Sequence, residues 1–194
     1  MPIEPSDEEE KYFHEVEIEA RRRLREHLED NARKLEEAAK VAEHLATDDH
    51  GLAEEIRALG FAGDNAKIFD LLPLVHVAWA DGKIQRSERA AILKLLEQRN
   101  VARDSQPFQT MEALLEERPT DAFMRESLSL LQRVVAKQGG RADEIVELCM
   151  HVAAASGGLL GLGSRIDDAE RKRIREIAEQ LGPAANTAVT SQLE

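Results

Sequence analysis

The chain has 194 residues, of which 42% are hydrophobic, 33% charged and only 4% aromatic, and its formal net charge is −12. That length suits one domain plus an extension, and the composition is that of a soluble helical protein. The acidic balance repels phosphate backbones and anionic membrane surfaces, which speaks against nucleic acid and favours cations or basic protein surfaces as partners.

Residues 1–6 read as a loose start, with Ser6 or Asp7 as N-cap of an acidic first turn. The run Asp7-Glu8-Glu9-Glu10-Lys11 stands where a secretory core would lie, and no stretch reaches the ~18–20 apolar residues of a membrane span. The single Cys149 has no internal disulfide partner, so the expected location is cytoplasmic.

From Asp7 to about Leu45 there is no Gly or Pro, and Glu, Ala, Leu, Arg and Lys dominate. This predicts one long helix. Leu24, Leu28, Asn31, Leu35, Ala38, Ala42 and Leu45 alternate by four and three, an a/d seam with one polar position that would set register in a coiled coil. The same spacing also suits an amphipathic helix lying on its own domain. Tyr12, Phe13, Val16 and Ile18 form a separate apolar knot, and Arg21-Arg22-Arg23 with Arg25 is a basic spot that pairs with neighbouring glutamates or meets an acidic partner.

A break at residues 46–51 and another at 60–64 enclose a short helix. Asp64 or Asn65 can cap a helix running to Ala80, which Pro73 either kinks or restarts near Asp70. Further helices are expected over Gln85–Gln98, Ser105–Glu117, Thr120–Lys137, Asp143–Ala155 and Asp168–Leu181, where Gly182-Pro183 stops the last. No period-two strand is evident, so the fold class is all-α. The expected organisation is an N-terminal helical extension over 1–50, a helical domain over 51–182 and a flexible tail over 183–194.

The stretch from Leu72 to Arg89 returns in altered form over residues 150–171. His76 falls on His151, Val77 on Val152, Ala80 on Ala155, Gly82 on Gly157, Ile84 on Ile166, Glu88 on Glu170 and Arg89 on Arg171. The second copy has Ser156 in place of Asp81 and a longer turn carrying Leu159, Leu160 and Leu162. Two related helix–turn–helix units are therefore expected within a helical bundle.

Several residues in these units are candidates for chemistry. Asp81 sits at a helix C-terminus, where its charge is unfavourable without a cation, either a metal ion or Lys83, Arg86 or Arg89. The alternative is turn chemistry, with Gly82 at positive φ. Asp167 and Glu170 have capping-box spacing, and the overlay gives Gln85 and Glu88 the same roles. If the halves pack about a pseudo-twofold axis, His76 and His151 approach each other, and Glu147 shares the His151 face, a zinc-type set. The alternative is two histidines at helix–helix boundaries. The glycine-rich insert follows no strand and lacks the Lys-Ser/Thr of a phosphate loop, so it reads as an apolar packing or docking loop.

The segment VAWADGKIQRSERAAILKLLEQ, residues 77–98, resembles the signature of the TerB-like (tellurite-resistance B) family. There a small apolar helix ends in Ala-Asp-Gly and a short loop leads to a helix opening with a Glu. The resemblance extends from about Asp64 to Leu181 and leaves residues 1–50 uncovered. It implies an all-helical domain of two related halves linked to stress responses in bacteria, with divalent-metal binding by acidic residues. The expected function is a non-enzymatic, stress-associated module that binds a divalent cation through Asp81 and Glu88, with Glu147, His151 and His76 as a second set, or docks a protein partner. The rival expectation is a structural module that forms a homodimer through Leu24, Leu28, Asn31 and Leu35.

Overall fold

The computed structural model describes residues 7–138, 141–156 and 166–182. Among them there are eight α-helices, one 3-10 segment and no strand: α1 (Asp7–His44), α2 (His50–Ala58), the 3-10 segment (Gly63–Leu71), α3 (Leu72–Ala78), α4 (Arg86–Gln98), α5 (Gln106–Glu116), α6 (Asp121–Val135), α7 (Arg141–Ser156) and α8 (Asp168–Leu181). None is long and apolar enough to cross a membrane. The all-α class and the long first helix are as the sequence implies. Pro73 falls in the first turn of α3. It therefore marks a restart rather than a kink, because its missing N–H lies among donors that have no intrahelical acceptor anyway.

The chain divides into two units, residues 1–37 and 38–194. In the first, residues 11–37 are a helix with almost no burial: Leu24 is 59% exposed, Leu28 58% and Leu35 72%. Local pairing supports it instead of packing. Arg21 binds Glu17, Arg23 binds Glu19 at 2.6 Å, Lys34 binds Asp30 at 2.7 Å, and Asn31 Nδ2 lies 3.1 Å from His27 Nε2. Such pairs stabilise a helix by a few tenths of a kcal/mol each.

The second unit holds the core. Val41 and Leu45 from the end of α1 join Leu52, Phe61, Phe69, Leu74, Ile92, Met111, Leu131, Val146 and Ile177. Phe61 and Phe69 stack edge to face at 5.2 Å. The helix pairing follows the internal repeat. α3 and α7 pack together, α4 crosses onto α7, and α3 crosses onto α8. That is the pattern a pseudo-twofold relation between α3-turn-α4 and α7-turn-α8 produces. α6 seats against α8 and α2, and α5 against the 3-10 segment and α4. One buried carboxylate ties distant segments: Asp70 Oδ2 accepts from Arg99 Nη1 at 2.8 Å and Arg141 Nη2 at 3.0 Å.

Candidate functional site: a carboxylate pair at the two helix starts

Both turn units end in the same device. Gln85 caps α4 and Asp167 caps α8, each with extended backbone, and each is answered by a glutamate three residues on. Glu88 Oε2 accepts the Gln85 N–H at 2.7 Å, and Glu170 Oε2 accepts the Asp167 N–H at 2.8 Å. The expected capping boxes are therefore present, and each satisfies a donor that a helix start otherwise leaves open.

The structure adds what neither box shows alone. Glu88 is 1% exposed and Glu170 3%, and their side chains are hydrogen-bonded to each other. Two carboxyl groups bond in this way by sharing a proton. Burial first, then the bond to Glu170, push the Glu88 carboxyl up from 4.5 to about 8, with repulsion from Glu170 and Asp81 adding to the rise and the Gln85 N–H opposing it. Burial and the adjoining carboxyl therefore favour the protonated form of Glu88.

Asp81 is exposed and accepts the Lys83 N–H at 3.0 Å, while Gly82 takes φ +88°. The turn reading of Asp81-Gly82 is thus realised, and Asp81 acts on Glu88 through its field. His76 is buried, with Nε2 3.4 Å from Ser127 Oγ. Burial, and then the Arg173 guanidinium, hold its imidazole down to about 4, so it is neutral at physiological pH. His151 and Glu147 are exposed. Among the described residues no three His, Cys, Asp or Glu side chains gather closely enough to hold a metal ion. Leu159, Leu160 and Leu162 lie outside the described residues. Cys149 is fully buried, and burial pushes its thiol far up, which leaves it unreactive.

From sequence, Glu170 was a capping residue and not a site candidate. The signal was there, because the overlay places it on Glu88 and a twofold relation brings equivalent positions near the axis together. Asp70 carried no signal of that kind.

The family profile described as Tellurite resistance protein TerB matches residues 71–189, which span both turn units. No curated protein and no solved structure is a significant match to the chain.

Proposed function

The chain belongs to the TerB family of tellurite-resistance-associated helical modules, and from that premise we propose that it is a non-enzymatic association module that self-associates through its N-terminal helix. The observation that carries this is the exposed face of residues 11–37 in α1. At about 100° per residue, Phe13, Val16, Ala20, Leu24, Leu28, Asn31 and Leu35 fall within an arc of about 120°. An apolar stripe of that width is what a helix normally buries. A second copy offers the same stripe, and places an Asn opposite a polar neighbour rather than stranding it in an apolar groove. The test is light scattering on the full chain over a range of concentrations. A mass rising above the 21.7 kDa of one chain supports the reading. Leu24→Glu, Leu28→Glu and Leu35→Glu together should return it to one chain without unfolding it, because all three side chains are exposed in the single chain. A wild-type chain that stays at one-chain mass throughout overturns it.

The Glu88–Glu170 pair supports a second reading, cation uptake at the axis. A divalent ion in place of the shared proton relieves the repulsion between the two carboxylates, with water completing the shell. Calorimetric titration of chelator-treated protein with Ca²⁺, Mg²⁺ and Mn²⁺ tests this. The expected result is binding that strengthens from pH 6 to pH 8 and releases about one proton per ion, read from buffers of different ionisation heat. Absence of heat with all three ions, or heat unchanged in Glu88→Gln, sinks it.

A further inference from the structure

Between α3, α6 and α8 lies a cavity of about 360 Å³, large enough for a small ligand. Its buried lining includes His76, Leu128 and Ile177, with Trp79 and Met124 partly covered beside them. Three guanidiniums join this lining: Arg118 and Arg125, both exposed, and the half-buried Arg173. In a chain of net charge −12, three positive groups at one concavity stand against the general field.

The charges at the cavity do not cancel. Arg118 Nη2 binds Asp121 Oδ1 at 3.2 Å and Arg173 Nη1 binds Glu176 Oε2 at 3.1 Å. Both acids also line the cavity. The Arg125 side chain has no hydrogen bond or ion pair among the described residues. Three cations against two anions leave one positive charge over. The two existing pairs are solvent-exposed contacts, worth about 0–1 kcal/mol each, so their guanidiniums can turn to a better acceptor at small cost. His76 adds polarity without charge. Its Nε2 faces Ser127 Oγ, and Nδ1 has no partner among the described residues. Trp79 Nε1 is already committed, donating to the Leu114 carbonyl at 3.0 Å, which fixes the indole.

We propose that this cavity binds a small organic oxyanion, with its head group on Arg125 and Arg173 and its apolar part against Trp79, Met124 and Ile177. Arginine is suited to the head group because its planar fork meets two oxygens at once. The indole and neighbouring aliphatic side chains give the apolar part a surface that water covers poorly. The site is separate from the Glu88–Glu170 pair and from α1, and it stands or falls independently of both readings above.

Trp79 is the only tryptophan, so its fluorescence reports on this cavity alone. The experiment titrates the full chain with phenyl phosphate, inorganic phosphate and neutral benzyl alcohol, at fixed ionic strength. Phenyl phosphate is expected to give a saturable change, with inorganic phosphate binding roughly tenfold more weakly for want of the buried ring, and benzyl alcohol giving none. Arg125→Gln should weaken phenyl phosphate roughly tenfold, the effect of one charge-assisted hydrogen bond. Arg125 is exposed and unpaired, so this variant should unfold at the wild-type midpoint. Lys94→Gln, on exposed α4 surface outside this lining, removes the same charge and should leave the affinity unchanged. Three results overturn the proposal: no saturable change with phenyl phosphate, benzyl alcohol binding as well as phenyl phosphate, or an equal loss in Arg125→Gln and Lys94→Gln.

Discussion

Glu88 is a carboxylic acid whose position favours its protonated form. Its carboxyl rises from 4.5 to about 8 on folding. Between those values the folded chain holds a proton that the unfolded chain has lost. Stability attributable to this group therefore falls as pH rises from about 4.5, and is lowest above about 8. Glu88→Gln removes the titration while keeping an amide oxygen for the Gln85 N–H and an N–H donor for Glu170. Urea unfolding at pH 5, 6.5 and 8 should show the variant gaining on wild type as pH rises. Parallel wild-type and variant profiles would mean that Glu88 is ionised in the fold. Asp70 is a buried acid bound by two guanidiniums. Asp70→Asn leaves Arg99 and Arg141 facing each other without a counter-charge. Because both arginines are partly exposed, the expected loss is about 2 kcal/mol, below the 3–5 kcal/mol of a fully buried pair. Equilibrium unfolding measures it, and a change under about 0.5 kcal/mol would show that water replaces the carboxylate.

At the scale of elements, the turn units explain why the site lies where it does. Each capping box fixes a glutamate at the third position of its helix, pointing back toward the helix start. Because α4 crosses onto α7 and α3 onto α8, the two helix starts converge, and the two caps become one carboxyl pair. The same reasoning separates the histidines. His76 lies on α3, packed from both sides, whereas His151 lies on an exposed face of α7. Equivalent positions in the repeat need not have equivalent surroundings, and α6 packs on α3 beside His76. α1 behaves differently at its two ends. Val41 and Leu45 are buried in the core, while Leu24, Leu28 and Leu35 are exposed. The triple glutamate variant of the exposed three separates association from folding, since only the former uses them.

For the molecule as a whole, the sequence determined the fold class, the helix order and the repeat. Those follow from local quantities: helix formers without Gly or Pro over α1, caps at Gln85 and Asp167, and Gly82 at a turn requiring positive φ. The sequence also carried the family, through the Ala80-Asp81-Gly82 turn and the helix opening at Glu88. What it left open depends on distance between segments far apart in the chain. Whether Glu88 serves only as a cap or also meets Glu170 depends on how two helices cross, and the overlay of the two residues, 82 positions apart, says only that they are equivalent. The grouping of Arg118, Arg125 and Arg173 around Trp79 has no sequence signature, because the three lie on separate segments with ordinary surface-like spacing. Their meeting is fixed by α6 and α8 packing against each other and against α3. Local propensity and capping are short-range and legible along the chain; the surroundings of a charge are set by burial and by neighbours that only packing brings together.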